Sequence, residues 1–269
     1  MPETFFTSEQ RADGSEWFTP TDHARGPWDP DACHGGPPTG LLVRALERTL
    51  PAMRLARISV DLSRPVPMAG FTIAATVTRA GRATANTAAS LLDADGKVRA
   101  TATGMHLAVA PTPMLEGRLD NSGATTPRLA DAEPGEFPIG RVAHDLPGFR
   151  GGVEMRYPPG EDSSPGATTV WMRTVALLPG EEMSPFQRIS PLADCGNAFG
   201  RNTEADQVQF VNTDLLIALH RDPVGEWMGS RATSAWQPTG SGLADAQLFD
   251  DDGPVGRALQ TLLLRRPSG

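Results

Sequence analysis

The chain contains 269 residues, with 24 Lys and Arg against 32 Asp and Glu, so its formal net charge at pH 7 is −8. This acidic balance provides no basic field for a phosphate backbone, which excludes nucleic acid as an expected partner. No basic segment followed by an apolar stretch begins the chain, and no run of about 18 apolar residues occurs. We therefore expect a cytoplasmic protein without stable membrane insertion.

The first part of the chain predicts one helix followed by a group of β-strands. Residues 40–50 place apolar side chains three and four positions apart, and Pro51 ends this pattern. Residues 71–78 alternate and are rich in β-branched side chains, and residues 83–92 and 98–109 continue as strands around a turn at Asp95-Gly96. These elements predict a helix packed on an antiparallel sheet.

The second part of the chain repeats this order after a long connection. Residues 110–166 are rich in Pro, Gly and charged side chains, which is typical of a surface crossover. Residues 190–199 then form a weaker, more polar helix-like segment. The segments 227–236, 243–249 and 255–264 are predicted strands.

A constant spacing links the two parts. The turn at Gly96 and the turn at Gly253 are 157 residues apart, and so are Arg64 and Arg221, which end equivalent strands. Such agreement without a gap indicates a duplication. We therefore predict an N-terminal unit over residues 1–109, a Pro- and Gly-rich linker over 110–166 and a C-terminal unit over 167–269.

Several segments resemble a known family. They are GPWDP at 26–30, HGGP at 34–37, RPVP at 64–67 and the residues from Asn212 to Trp227. In this pattern the chain is similar to the thioesterase-like superfamily of the acyl-CoA thioesterase II type. The resemblance implies an α+β fold, a tandem double hotdog, in which each half is a curved antiparallel β-sheet wrapped around a central α-helix.

The resemblance also implies an enzyme that hydrolyses a fatty acyl-CoA to free acid and CoA. The family's catalytic Asp and Gln correspond to Asp194 and Gln260, and its catalytic Thr corresponds to Asn212. Hydrolysis of a thioester needs an activated water and little assistance to the thiolate that leaves. We expect Asp194 to act as the base while Asn212 and Gln260 position the water.

The residues at the start of the first helix are predicted to contact the substrate. His34 is expected to cap the helix or to touch the thioester, and Gly35 and Gly36 lack a Cβ that would keep the thioester from the backbone. A backbone N–H at a helix start can stabilise the oxyanion, a role that we assign to Gly36.

The substrate's phosphate groups require local positive charge in an acidic protein. The candidates are four arginines that flank turns or end strands: Arg64, Arg79, Arg82 and Arg221. The expected partner is an acyl-CoA or an acyl-carrier thioester. Because open sheet edges tend to pair, we also expect a homo-oligomer.

Other interpretations remain open at this stage. Asp194 is also typical of a helix N-cap, Gln260 of the solvent face of a strand, and Asn212 of a β-bulge. Replacement of the family Thr by Asn212 leaves room for a non-catalytic protein that binds an acyl-thioester or lipid. An enoyl-thioester hydratase or dehydratase would need a His close to Asp194 in space. No metal-ligand spacing or nucleotide motif occurs, so no cofactor or metal is expected.

Overall fold

The computed structural model describes residues 3–112, 125–139 and 144–266. Part of the predicted linker, residues 113–124 and 140–143, thus lies outside the described residues. In the first half, the elements are β1 (Phe6–Gln10), β2 (Glu16–Pro20), α1 (Gly36–Thr49), β3 (Arg54–Asp61), β4 (Phe71–Arg79), β5 (Thr84–Leu92) and β6 (Val98–Leu107). The remaining elements are β7 (Glu133–Pro134), β8 (Val153–Tyr157), β9 (Thr168–Thr174), α2 (Pro185–Ala193), α3 (Gly196–Phe199), β10 (Gln209–Asn212), β11 (Asp214–Leu219), β12 (Met228–Trp236), β13 (Ser241–Asp250) and β14 (Gly253–Arg265).

The strands form an antiparallel sheet in which β3 and β11 join the two halves. Ile58 of β3 faces Ile217 of β11 across this pair. Outward from this junction the order is β3-β6-β5-β4 on one side and β11-β14-β13-β12 on the other. The second side continues through β9, β8 and β7, and the first through β2 and β1. The chain is therefore an α+β protein dominated by an antiparallel sheet.

The spacing of 157 residues is also present in the strands. β4 and β12 both contain nine residues, and their first residues, Phe71 and Met228, are 157 positions apart. The hairpin glycines at this spacing, Gly96 and Gly253, both have positive φ, at 74° and 112°. Only glycine enters that region without a steric penalty, so both turns depend on the same residue type.

Helix α1 lies against β3, β4, β5 and β6 and supplies much of the main core. Leu41, Leu42 and Leu46 are at most 1% exposed. The helix begins at Gly36, four residues before the predicted start, because Pro37 and Pro38 occupy its first turn. Proline is tolerated there, since the first N–H groups of a helix have no partner within it.

The predicted helix over residues 190–199 is instead divided into two short helices. Ser184 caps α2 by accepting a hydrogen bond from the N–H of Gln187 at 3.1 Å. Pro191 lies inside α2, and its ring lacks an N–H and crowds the preceding turn. The helix ends at Ala193, and Asp194 lies in the break before α3.

None of the helices in the described ranges is long and apolar enough to cross a membrane.

Candidate active site

The break between α2 and α3 places the carboxylate of Asp194 among side chains from distant parts of the chain. Nδ2 of Asn212, at the end of β10, donates to Oδ1 of Asp194 at 2.7 Å. Nε2 of Gln260, on β14, donates to the same oxygen at 3.1 Å and to the Asp194 carbonyl at 2.9 Å. Nδ1 of His34 lies 3.1 Å from Oδ2. The three residues predicted to be catalytic are neighbours, and His34 joins them.

Gly35 and Gly36 allow the start of α1 to approach the end of α2. A Cβ on Gly36 would lie 2.3 Å from the carbonyl oxygen of Pro191, and one on Gly35 would lie 3.0 Å from Oδ2 of Asp194. The space left by the missing side chains is thus filled by α2 and Asp194. The absence of a Cβ therefore serves the contact between the helices, and contact of Gly35 with the thioester stays a prediction.

The N–H of Gly36 is not a free donor. It donates to Nδ1 of His34 at 3.1 Å and also lies within reach of the Asp194 carboxylate. The oxyanion role that the sequence assigned to Gly36 is therefore corrected. The N–H of Gly35, one residue earlier, has no acceptor among the described residues, and Gly35 lines the adjacent cavity.

The electrostatics of the site follow from burial. The Asp194 side chain is 2% exposed, and burial raises its pKa to about 7, although hydrogen bonds from Asn212, Gln260 and Gly36 lower it in part. Burial also lowers the pKa of His34 to about 3, so its imidazole is neutral. A carboxyl group that exchanges its proton near neutral pH is suited to general base catalysis.

Asn212 and Gln260 occupy different positions relative to the site. Asn212 lines the cavity, and its Oδ1 has no donor in the part of the chain that the structure describes. Gln260 is 1% exposed and absent from the cavity wall, and its Oε1 accepts the N–H of Asn197 at 2.9 Å. Gln260 therefore contacts Asp194 directly, and its predicted contact with the water stays a prediction.

A cavity of about 530 Å³ opens in front of Asp194. One part of its wall is formed by His34, Gly35, Asp194 and Asn212. Another part is formed by apolar side chains, namely Trp28, Phe137, Ile139, Leu146 and Phe210. The cavity wall therefore combines the Asp194 carboxylate and its polar neighbours with apolar side chains, as is usual for a small-molecule site.

The predicted arginines are distributed differently. Arg64 lines the cavity, but Arg79, Arg82 and Arg221 do not. Arg79 instead donates to Oγ1 of Thr84 at 2.8 Å.

Arg221 has a structural role: it pairs with Asp250, to Oδ2 at 2.7 Å and Oδ1 at 2.5 Å. The sequence-based predictions missed two further arginines of the cavity wall, Arg150 and Arg265. Neither donates to an acceptor among the described residues. No local pattern marks them, because Arg150 lies in the predicted linker and Arg265 ends the last strand.

The fold is similar to several solved structures. A hot dog fold protein from Alicyclobacillus acidocaldarius matches with a TM-score of 0.71 at 15% identity, covering 94% of each chain. Acyl-CoA thioesterase II from Mycobacterium marinum matches with a TM-score of 0.60 at 18% identity, covering 97% of this chain and 96% of that one. The dehydratase domain of PpsC from Mycobacterium tuberculosis, solved with C12:1-CoA, gives 0.52 at 14%, covering 98% and 100%. These identities establish the hotdog fold alone.

Two family models define the class of protein. The acyl-CoA thioesterase N-terminal domain matches residues 24–107, and the acyl-CoA thioesterase C-terminal domain matches residues 124–264. With the hotdog fold, these matches define a thioester hydrolase. The chain belongs to the acyl-CoA thioesterase family. No curated protein sequence matches it.

Proposed function

We propose that this protein hydrolyses a fatty acyl-CoA to the free acid and CoA, using a water molecule activated by Asp194. One observation carries the proposal: the buried Asp194 carboxyl, whose pKa is about 7, borders a cavity of about 530 Å³ with an apolar lining. Its carboxylate form therefore exists at neutral pH next to space for an acyl chain.

The other residues of the wall complete this chemistry. Oδ1 of Asn212, without a donor in the ranges that the structure describes, can accept a hydrogen bond from the attacking water. The N–H of Gly35, which has no acceptor among the described residues, is the proposed donor to the oxyanion that forms at the thioester carbonyl. Collapse of that intermediate breaks the C–S bond and releases CoA.

The test is release of free thiol from acyl-CoAs of increasing chain length, with Asp194→Asn as the inactive control. Turnover of at least one acyl-CoA by the wild type, lost in the variant, supports the proposal. If acyl-CoAs raise the melting temperature but no thiol appears, the protein is a binding module and the proposal is wrong.

Gln260→Leu is expected to raise the pH at which activity is half-maximal by about 0.5 to 1 unit and to lower kcat about tenfold. The reason is that Gln260 donates to the Asp194 carboxylate, and this hydrogen bond lowers the pKa of Asp194. The measurement is the pH profile of kcat/KM. Gln247→Leu, on the neighbouring strand β13, is the matched control, and an equal shift in both variants would contradict the assigned role.

Phosphate recognition is proposed to involve Arg64, Arg150 and Arg265, which line the cavity and are exposed. Substituting each with Gln is expected to raise KM for acyl-CoA about three- to tenfold with kcat retained, because one exposed arginine–phosphate contact is lost. The effect should shrink at high ionic strength. Arg79→Gln and Arg82→Gln serve as controls, and equal KM changes in these controls would contradict the assignment.

A second candidate function, reversible hydration of a 2-enoyl thioester, is favoured by one observation. Nδ1 of His34 lies 3.1 Å from Oδ2 of Asp194. The structure thus brings together the His and the Asp that such a reaction needs, which are far apart in the sequence. A solved neighbour, the PpsC domain, is described as a dehydratase. Loss of the enoyl thioester's conjugated absorbance without thiol release would favour this function over hydrolysis.

We also propose the finer architecture that the sequence predicts. Two hotdog units occupy residues 1–109 and 167–269, each with a sheet around a central helix. Residues 110–166 connect them and also add β7 and β8 to the edge of the second sheet. The matching order of strands on the two sides of the β3–β11 pair supports this division. The open strand edges support a homo-oligomer, which light scattering of the purified protein tests.

A further inference from the structure

Nδ1 of His34 has two hydrogen-bond partners that place different demands on its protonation. It lies 3.1 Å from the N–H of Gly36, which can only donate. The same nitrogen lies 3.1 Å from Oδ2 of Asp194. One nitrogen cannot accept from Gly36 and donate to Asp194 at once, so the direction of the hydrogen bond between His34 and Asp194 depends on the protonation state of the pair.

In the first state Asp194 is protonated. Its Oδ2–H donates to Nδ1 of His34 and shares the single lone pair of that nitrogen with the N–H of Gly36, and the ring proton is on Nε2. In the second state Asp194 is ionised. Nδ1–H then donates to Oδ2, the N–H of Gly36 turns to the carboxylate, and Nε2 carries a lone pair. When the pair formed by His34 and Asp194 loses one proton, it is therefore Nε2 that changes from a donor to an acceptor.

The position of Nε2 makes this exchange useful. The side chain of His34 lines the cavity, and its ring stacks on Phe149 with centroids 4.0 Å apart and planes at 6°. Nε2 has no protein partner among the described residues and is not among the buried polar atoms that lack one. It is therefore open to the cavity while Nδ1 is fixed.

We propose that His34 is a catalytic residue, and that its Nε2 takes the proton from the attacking water while Asp194 holds Nδ1–H. This rests on the proposed hydrolysis and defines how Asp194 activates the water. The water oxygen bonds to the thioester carbon as its proton moves to Nε2, and Asp194 stabilises the imidazolium. The C–S bond then breaks, and Nε2–H returns its proton to the sulfur. Water and thioester become acid and thiol with no other reagent.

Other titratable groups around the pair do not compete for this proton. Cys33 and Cys195 adjoin His34 and Asp194 in the chain, and burial raises the pKa of both thiols, so they remain protonated. Arg25 also lines the cavity, and its guanidinium donates to Asp22 and to the carbonyls of Pro30 and Pro147. His144, on the same wall, bonds the Gly26 carbonyl through Nε2.

The test compares two replacements of His34 that remove different parts of the ring. His34→Asn keeps an amide near the position of Nδ1, where it can still form a hydrogen bond with Asp194, but it has no atom at the position of Nε2. His34→Ala removes both nitrogen positions and leaves space that added imidazole can occupy. If Nε2 exchanges the proton, we expect kcat to fall at least about 100-fold in both variants, with KM changed less than about threefold.

Chemical rescue gives the decisive outcome. Imidazoles added to His34→Ala should restore thiol release, and more basic imidazoles should restore more, as expected for a general base. His23→Asn, a partly buried histidine that does not line the cavity, is the control for folding. If the wild type releases thiol but His34→Asn retains its kcat and pH profile, the proposal is wrong and the proposed hydrolysis stands. If the wild type releases no thiol, hydrolysis itself is wrong.

Discussion

Asp194→Asn is expected to change activity and stability in opposite directions. Thiol release should fall by about two to four orders of magnitude, because the carboxylate on which activation of the water depends is lost. At about pH 8 the variant should unfold at a higher temperature than the wild type. Asn mimics the protonated carboxyl: its Nδ2 can donate to Nδ1 of His34, and its Oδ1 can accept from Asn212 and Gln260.

The stability difference has a defined pH window. Burial raises the pKa of Asp194 from 3.8 to about 7 in the folded protein, so folding favours the neutral form. The wild type therefore loses stability relative to the variant as the pH rises between these values, by up to about 1.4 kcal/mol per pH unit.

Melting temperatures of both proteins, measured from about pH 4 to about pH 8, should diverge as the pH increases. Asp245→Asn, which removes an exposed partner of Arg257, is the matched control and should show no such divergence. Parallel curves for Asp194→Asn and the wild type would show that Asp194 is ionised throughout and would contradict the buried base.

Gly36→Ala is expected to give the largest loss of stability, about 2 to 3 kcal/mol, as overpacking does. The new Cβ would lie 2.3 Å from the carbonyl oxygen of Pro191, a backbone atom that cannot move alone. The helix ends must separate, which also displaces His34 from Asp194. We expect a melting temperature lower by about 5 to 10 °C and a loss of thiol release greater than about tenfold.

Gly151→Ala is the matched control for this substitution. Its Cβ would meet only His23, at 3.5 Å, which is an ordinary contact. We expect its melting temperature to stay within about 2 °C of the wild type. Normal stability and activity of Gly36→Ala would show that the contact between α1 and α2 does not position the site.

The strand pairs of the repeat could be predicted from the sequence because their signals are local. Alternation from Phe71 and the glycine turns at Gly96 and Gly253 are set by neighbours in the chain. The sequence did not reveal β1, β2, β8 or β9, which are short or irregular in pattern. Nor did it indicate that α2 ends at Ala193, which places Asp194 in the break before α3 and within reach of His34.

The sequence predicted which residues form the candidate site better than it predicted how their side chains are arranged. The family resemblance selected Asp194, Asn212 and Gln260, which the structure brings together. The contact between His34 and Asp194 joins residues 160 positions apart, and no periodicity within either segment encodes it. Gln260, expected at the water, is enclosed behind Asp194 because its strand packs under α3. Such roles depend on tertiary packing that local patterns do not contain.

A single turnover in water labelled with oxygen-18 tests the central claim, hydrolysis by a water that Asp194 activates, most directly. Enzyme in excess over an acyl-CoA is mixed with labelled water, and the products are analysed by mass spectrometry. The account predicts a free acid carrying one labelled oxygen, formed by the wild type and not by Asp194→Asn. An unlabelled acid, with the label in the protein, would show that Asp194 attacks the thioester itself. With a 2-enoyl-CoA as the substrate, an intact thioester that has gained one labelled water would show hydration instead, and either result would contradict the account.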